Sequence, residues 1–241
     1  MRRKAERSQF KLCISVSART LKDLSEKVER ARGYKPDLLE LRLDYLRNLD
    51  GKKISKVELL LRGNEILTVR SKEEGGAKTV SETNRMSLLR KIILSLEPKF
   101  IDVEIKALTK NTDLVHDLEK TKTKLIASYH DLQGRKSLKY LRNIVAMAPA
   151  GSKSLYAVKI VSNAKRSQDN LRIIRLYTTT PKHQRLIAFC LGEKGVKSRV
   201  LCLLAGSPFS YCSLPGEPLA PGQLDIESMR KLISSWSSKG I

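Results

Sequence analysis

Aromatic residues and long apolar runs are both scarce in this 241-residue chain. Phe, Trp and Tyr make up 5% of it, and no apolar run approaches the ~20 residues that a membrane-spanning helix needs. The basic start is followed by an apolar stretch, residues 12–18, that is short for a secretory signal and contains Ser15 and Ser17. We therefore expect a cytoplasmic protein that does not contact membranes.

The chain also has few cysteines. There are four, Cys13, Cys190, Cys202 and Cys212, and no two of them form a Cys-X-X-Cys pair. Each lies among apolar residues, which is typical of buried, reduced thiols. We therefore predict no zinc site at these positions.

Negative charge is in short supply, because 25 Asp and Glu residues are outnumbered by 47 Lys and Arg residues, for a net charge of +22. A nucleic-acid-binding protein is one hypothesis for such a surplus. The basic residues are spread along the whole chain, however, and no RNA-binding aromatic motif is present. The surplus therefore indicates non-specific attraction and no specific nucleic-acid partner. Residues 1–9 are predicted to form a flexible basic tail, and residues 10–241 to form one domain.

Strand-like and helix-like segments alternate along the chain. The strand-like segments are residues 12–17, 38–43, 66–69, 100–105, 125–129, 156–161, 185–191 and 209–213. The helix-like segments are residues 21–31, 54–61, 82–96, 113–120, 137–148, 167–177, 198–205 and 226–236. This alternation predicts an α/β fold, a single-domain (β/α)8 TIM barrel. A doubly wound sheet is the alternative, but no glycine-rich dinucleotide fingerprint follows the first strand.

A lysine lies inside one of the most apolar predicted strands. Lys159 is flanked by Val158 and Ile160. A buried amine is costly unless it is paired or used, and it can act as a nucleophile towards carbonyl groups. The alternative is a lysine at a strand end whose amine reaches water.

Further polar residues stand where the predicted strands end, which is where a barrel of this kind carries its chemistry. The fifth strand leads into His130, one strand before Lys159, so the imidazole and the amine are predicted to reach one cavity. This pair suits Schiff-base chemistry with proton transfer. The second strand ends in Glu40, Arg42 and Asp44, whose alternation turns them to one face. Arg42 and Asp44 equally fit a structural ion network.

Short segments at these strand ends occur together in the order and spacing of a known enzyme family. They are Glu40-Leu41-Arg42-Leu43-Asp44, Thr68-Val69-Arg70 with Glu74-Gly75-Gly76, Ser128-Tyr129-His130-Asp131, Lys159, Ser198-Arg199 and Pro221-Gly222-Gln223. With this combination the chain resembles type I 3-dehydroquinate dehydratase over nearly its whole length. The resemblance implies a homodimeric (β/α)8 barrel of the shikimate pathway of aromatic amino acid biosynthesis. It also implies a lyase that removes water from 3-dehydroquinate to give 3-dehydroshikimate, without metal or cofactor.

The same resemblance implies which residues perform the chemistry. Lys159 would form an imine, or Schiff base, with the substrate ketone. His130 would move protons as general acid and base, and Glu74 would orient His130 and support its charged form. Arg199 would bind the substrate carboxylate. The remaining contacts to the small-molecule substrate would come from Ser15, Glu40, Arg42, Arg70 and Gln223.

The chain departs from the family pattern at Leu219, where many relatives have a serine four residues before the glutamine. A hydroxyl contact to the substrate carboxylate is therefore missing or supplied by another group. A class I aldolase on a similar barrel is an alternative, because it would share the lysine of the sixth strand. The segments that contain Glu74 and Gln223 favour the dehydratase.

Overall fold

The computed structural model describes residues 10–77 and 81–237, and the predicted tail at residues 1–9 lies outside them. The strands are β1 (Leu12–Ser17), β2 (Leu38–Arg42), β3 (Glu65–Thr68), β4 (Phe100–Glu104), β5 (Lys124–Asp131), β6 (Leu155–Asn163), β7 (Leu186–Leu191) and β8 (Ser210–Cys212). They form one parallel sheet in the order β7-β6-β5-β4-β3-β2-β1-β8. Strands β7 and β8 are the two edges of this sheet. The centroids of the rings of Phe189 on β7 and Tyr211 on β8 lie 5.9 Å apart, so the sheet nearly closes into a barrel.

Helical segments connect the successive strands and follow the last one. In the described part of the chain the α-helices are α1 (Leu21–Gly33), α2 (Gly51–Val57), α3 (Glu82–Lys91), α4 (Ile105–Lys110), α5 (Thr112–Glu119), α6 (Leu138–Ala146), α7 (Asp169–Ile174), α8 (Ser198–Leu204) and α9 (Ile226–Ser237). The (β/α)8 barrel predicted from the sequence is thus confirmed. None of these helices is both long and apolar enough to cross a membrane.

Local sequence explains where the helices begin and which face they bury. Thr20 precedes α1, and its hydroxyl oxygen accepts a hydrogen bond from the backbone N–H of Asp23. Ser137 precedes α6 in the same way, and its side chain accepts a hydrogen bond from the backbone N–H of Tyr140. Leu24 and Val28 lie one turn apart on α1 and are fully buried. These caps and apolar stripes are the features expected of helices that pack on a barrel.

The fifth strand is longer than the sequence pattern indicates. The predicted segment ends at residue 129, whereas β5 continues through His130 to Asp131. The two additional residues pair with Val161 and Ser162 of β6. His130 therefore belongs to the paired part of β5, and its backbone position is fixed by the barrel.

Helix α4 is an element that the sequence pattern does not reveal. It begins at Ile105 directly after β4, where the pattern predicts the end of a strand. Ile105 and the preceding Val103 are β-branched, so they favour an extended conformation locally. Burial of Ile105 and Leu108 against the barrel favours the helix instead.

The register of the strands brings polar side chains to one level inside the barrel. The cross-strand partners at this level are Ser15 with Glu40, Thr68 with Asp102, and Ser128 with Lys159. All of these residues are buried. Charged groups in such an environment are stable only when they are paired or when they bind a ligand.

Candidate active site

A cavity of about 250 Å³ opens at the carboxyl ends of the strands. Its lining includes every site residue predicted from the sequence: Ser15, Glu40, Arg42, Arg70, Glu74, His130, Lys159, Arg199 and Gln223. The apolar part of its wall includes Val161, Phe189 and Tyr211. The fold therefore brings together residues that are spread over more than 200 positions of the chain.

The amine of Lys159 lies inside the barrel. The residue is only 4% exposed, so the alternative of a strand-end lysine that reaches water is wrong. Its Nζ donates a hydrogen bond of 2.9 Å to Oδ2 of Asp102 and lies 3.8 Å from Oε1 of Glu40. The ring of Tyr211 lies 4.0 Å away. The amine is thus held by acidic and aromatic groups while it lines the open cavity.

The imidazole of His130 is oriented by Glu74. Oε2 of Glu74 accepts hydrogen bonds from the backbone N–H of His130 at 2.8 Å and from Nδ1 of its ring at 3.0 Å. Glu74 ends a short turn, and Gly75 follows it with a left-handed φ of +91° that a side chain would strain. With Nδ1 as donor, the lone pair of the neutral ring lies on Nε2, which is the form of a general base.

Burial and neighbouring charges shift the pKa values of this pair in opposite directions. Burial raises the pKa of Glu74 to about 7 against the opposing charge of Arg70. Burial, together with the positive charges of Arg70 and Lys159, lowers the pKa of His130 well below 6.5. His130 is therefore neutral at neutral pH and able to accept a proton. The imidazole of His130 and the amine of Lys159 also line the same cavity.

Arg199 lines the cavity and has no acidic partner among the described residues. It is 1% exposed, and its Nε and Nη2 have no hydrogen-bond partner among those residues. Its guanidinium lies 4.7 Å above the ring of Phe189. Burial lowers the pKa of Arg199 to about 10, which still leaves it charged at neutral pH. A buried guanidinium with free donors is suited to bind an anion, and a carboxylate in particular.

Arg70, by contrast, is engaged by the protein itself. Its Nη1 donates to Oγ of Ser128 at 2.6 Å and to Oε1 of Glu104 at 3.1 Å, and its Nη2 lies 2.7 Å from Oδ1 of Asp102. The family resemblance implies that Arg70 holds ring hydroxyls of the substrate. In this structure its guanidinium serves first as the centre of an ion network, although the residue still lines the cavity.

Arg42 and Asp44 form the structural ion pair that the sequence left open. Nε and Nη2 of Arg42 each donate a hydrogen bond of 2.9 Å to Asp44. Asp44 also accepts from the backbone N–H of Ala77. Arg42 nevertheless lines the cavity, so it combines a structural role with a position beside any bound ligand.

Glu40 joins the first three strands at the floor of the cavity. It accepts hydrogen bonds from Oγ of Ser15 at 2.6 Å and from Oγ1 of Thr68 at 2.9 Å. Ser15 is therefore a partner of Glu40 as well as a lining residue. These short side chains fix the carboxylate that faces Lys159.

The loop after β8 covers one side of the cavity. The side-chain amide of Gln223 donates to the backbone oxygen of Cys212 at 3.0 Å, and its oxygen accepts from the backbone N–H of Leu219 at 2.8 Å. The side chain of Gln223 thus braces its own loop. Leu219 brings an apolar side chain to the cavity lining, and its backbone N–H is used by Gln223.

The sequence reasoning missed Asp102 and Tyr211, which contact the amine of Lys159, and Glu104, which pairs with Arg70. Asp102 and Glu104 lie on β4, and they alternate as lumen-facing residues of a strand should. That alternation of acids in a buried strand was a usable signal. Tyr211 had none, because an aromatic residue in an apolar strand predicts only core packing.

No metal site accompanies these groups in the described parts of the chain, where no three His, Cys, Asp or Glu side chains are arranged to hold an ion. All four cysteines are buried and free.

The fold and the cavity together define a (β/α)8-barrel enzyme with a buried amine beside an imidazole at the barrel mouth. Comparison with known families gives the particular class. The family model described as type I 3-dehydroquinase matches residues 12–239. The chain therefore belongs to the type I 3-dehydroquinase family, rather than to the aldolases or nucleic-acid-binding proteins that its sequence also suggested.

Similar proteins agree with this assignment. The 3-dehydroquinate dehydratase of Pyrococcus abyssi is 35% identical over 212 residues, which cover 87% of this chain and 92% of that protein. The enzyme of the same name from Methanococcus maripaludis strain C5 is 30% identical over 224 residues, with 92% and 98% covered.

Solved structures support the fold. The crystal structure of 3-dehydroquinate dehydratase from Geobacillus kaustophilus superposes with a TM-score of 0.84 at 21% identity, covering 96% of this chain and 92% of that one. The type I enzyme from Clostridium difficile, solved with covalently modified comenic acid, gives 0.80 at 22% identity, covering 94% and 91%.

Proposed function

We propose that this protein dehydrates 3-dehydroquinate to 3-dehydroshikimate through an imine on Lys159. The observation that carries the proposal is the meeting of a buried amine, a neutral imidazole and an unpaired guanidinium in one cavity of the described chain. The relatives named as 3-dehydroquinate dehydratases support the choice of substrate. The substrate is an anionic ketone, so it presents one group for the amine and one for the guanidinium.

The first step is condensation of the amine with the ketone. Nζ of Lys159 attacks the carbonyl carbon, and the carbonyl oxygen leaves as water. The resulting protonated imine withdraws electrons, so the adjacent C–H becomes acidic. His130 serves as the proton shuttle during addition of the amine and loss of water.

The second step is elimination. Nε2 of His130 takes the proton from the carbon beside the imine, and the electron pair moves to the nitrogen to form an enamine. The enamine then expels the hydroxyl group, which leaves as water with the proton returned by His130. Hydrolysis of the conjugated imine releases the enone and regenerates the amine of Lys159. Glu74 supports the imidazolium that forms between the two proton transfers.

The cavity has separate groups for holding the substrate. Arg199 has the free donors that a carboxylate needs, and its planar guanidinium fits two oxygens. Glu40, whose Oε1 lies 3.8 Å from the amine, and Arg42 line the cavity from β2 and supply contacts to ring hydroxyls. The remaining lining groups, which complete the pocket around the ring, are Ser15, Arg70 and Gln223.

Two measurements test the proposal directly. Incubation with 3-dehydroquinate should produce the absorbance of a conjugated enone. Borohydride added with substrate should reduce the imine and leave a covalent adduct at Lys159, detected by mass spectrometry of the peptides. An active enzyme that yields no adduct would falsify the imine mechanism.

The variant His130→Ala removes the proton shuttle and keeps the nucleophile. Turnover should slow by ~10²-fold or more, while long incubation with substrate and borohydride should still give the adduct, because the amine is intact. Turnover at the wild-type rate would show that another group moves the protons.

We also propose that the protein is a homodimer that acts in the cytoplasm. The family resemblance supports the dimer, and four buried free cysteines suit a reducing compartment. Light scattering coupled to size-exclusion chromatography should give twice the 27.2 kDa mass of the chain. A monomeric mass would contradict the dimer without affecting the proposed reaction.

A further inference from the structure

The carboxylate of Asp102 contacts the nitrogen that the proposed reaction uses as its nucleophile. Oδ2 accepts the hydrogen bond from Nζ of Lys159 at 2.9 Å. Oδ1 accepts from Oγ of Ser128 at 2.5 Å and lies 2.7 Å from Nη2 of Arg70. Asp102 is 1% exposed. Its orientation is therefore fixed from both sides, with one oxygen left for the Lys159 nitrogen.

The groups around this nitrogen come from most strands of the barrel. They are Cys13 on β1, Glu40 on β2 at 3.8 Å, Arg70 after β3, Asp102 on β4 at 2.9 Å, His130 on β5 and the ring of Tyr211 on β8 at 4.0 Å. Among the residues that the structure describes, Asp102 is the only acid within hydrogen-bond distance of Nζ.

Asp102 is held as an anion. Burial alone would raise its pKa, but the positive charges of Arg70 and Lys159 outweigh burial and keep the pKa well below its usual range. The hydrogen bond from Ser128 acts in the same direction. These surroundings favour a fixed anion at Asp102 over a group that carries protons.

We infer that Asp102 is a further catalytic residue, the counter-ion that stabilises the protonated imine on Lys159. The inference rests on the proposed function. The amine, the ketone and one proton give one protonated imine and one water. The imine nitrogen keeps one N–H and carries a positive charge, so Oδ2 of Asp102 faces a cationic donor once the imine has formed. A fixed anion at this place is preorganised for that charge.

The counter-ion matters because only the protonated imine withdraws electrons strongly. Removal of the C–H proton neutralises the nitrogen in the enamine, and loss of the hydroxyl as water restores the positive charge in the conjugated imine. Asp102 therefore stabilises the cationic states on both sides of the enamine. Without its charge the imine would lose its proton at lower pH, and the following elimination would slow.

The test compares two variants that each neutralise a buried acid beside Arg70. Asp102→Asn keeps the size of the side chain and an oxygen towards Lys159. Glu104→Gln is the matched control, because Glu104 lies on the same strand and pairs with Arg70 at 3.1 Å while having no contact with Nζ among the described residues. Both are checked for folding by circular dichroism.

We expect Asp102→Asn to lower kcat by about 10²- to 10³-fold and to move the alkaline limb of the kcat–pH profile to lower pH. Glu104→Gln should leave that limb in place. The inference is overturned if the limb stays in place in Asp102→Asn or moves equally in both variants. Wild-type turnover and the adduct at Lys159 test the proposed function separately, so the two failures are distinguishable.

A measurement on the wild-type enzyme covers the case in which Asp102→Asn does not fold. With ¹⁵N-labelled lysine, the nitrogen resonance of the imine formed with 3-dehydroquinate reports its protonation. We expect the imine to stay protonated from about pH 6 to about pH 9, because a fixed opposite charge at hydrogen-bond distance favours the charged form. A neutral imine nitrogen near pH 7 would overturn the inference, even in an enzyme that turns over.

Discussion

The guanidinium of Arg199 lies 4.7 Å above the ring of Phe189 and has no acidic partner among the described residues, although it is 1% exposed. Arg70, in the same cavity, is buried to a similar degree but has Asp102 and Glu104 as partners. One buried arginine is thus neutralised by acidic partners, and the other is not. This difference predicts opposite effects when each is replaced by an apolar residue of similar length.

Replacement of Arg199 by methionine should stabilise the free enzyme and weaken substrate binding. An unpaired buried cation costs desolvation free energy, so Arg199→Met should raise the free energy of unfolding by about 1–3 kcal/mol. The KM should rise about 10- to 100-fold, because a charge-assisted contact to the substrate carboxylate is lost. Urea unfolding and steady-state kinetics measure the two effects.

The matched control is Arg70→Met. It removes the guanidinium that Asp102 and Glu104 share and leaves Asp102 with Lys159 and Glu104 with Arg85. The free energy of unfolding should fall by about 3–5 kcal/mol, because a buried ion network loses its central cation. Equal destabilisation of Arg199→Met and Arg70→Met would contradict the view that Arg199 lacks a partner in the free enzyme.

Lys159→Ala should abolish turnover while the barrel remains folded. The nucleophile is lost, but Asp102 keeps its contacts to Arg70 and Ser128, which hold the interior together. Circular dichroism should be unchanged, and borohydride with substrate should leave no adduct. Measurable turnover in this variant would remove Lys159 from the mechanism.

Glu74→Gln should change the pH dependence of kcat. Because the pKa of Glu74 is raised to about 7, its anionic form, which supports the imidazolium of His130, is present above pH 7 and lost as the pH falls through that value. The wild-type kcat should therefore decline on the acid side near pH 7. The variant should be roughly tenfold slower above pH 7, which is less than the ~10²- to 10⁴-fold effect of a group that transfers the proton itself, and it should lack this decline. An unchanged inflection would assign it to another group.

Gly222→Ala should disturb the loop over the cavity. Gly222 has a φ of +69°, and a Cβ there would lie 2.2 Å from the backbone oxygen of Gly192. The two loops already meet here, because the backbone N–H of Gly192 donates a hydrogen bond of 2.9 Å to the backbone oxygen of Pro221. We expect KM to rise by about tenfold, which corresponds to about 1.4 kcal/mol of lost binding free energy.

Gly216→Ala is the control for Gly222→Ala. Gly216 lies in the same loop with a φ of +75°, but no atom of the described chain lies within 4 Å of the place that a Cβ would occupy. It carries the same backbone strain without the collision. A similar rise of KM in both variants would show that backbone strain, and not the contact between the two loops, causes the effect.

The barrel was predictable because its signals are local. Alternating strand and helix patterns, with caps such as Thr20 and Ser137, can be recognised along the chain. Helix α4 could not, because the β-branched residues around Ile105 favour a strand locally and only tertiary burial turns them into a helix. The strand propensity of a residue is a weak guide to its conformation where tertiary packing determines the structure.

The positions of the site residues could also be predicted, since chemistry at the carboxyl ends of barrel strands follows from the fold. The amine, the imidazole and Arg199 all line one cavity. Asp102 and Glu104 could have been found from their alternation on β4, but their partners could not, because those partners lie on other strands.

The order of strands and helices follows from the residues along the chain, and with it the ring of strand ends at which Lys159 and His130 stand. Which charges are neutralised depends on the assembled barrel, where Arg70 meets Asp102 and Glu104, whereas Arg199 meets the ring of Phe189. The order of elements could be predicted and the charge pairing could not, because periodicity is a property of residues that are neighbours in the sequence. The free energy of a buried charge depends instead on distances of a few ångströms between residues that are far apart in the chain.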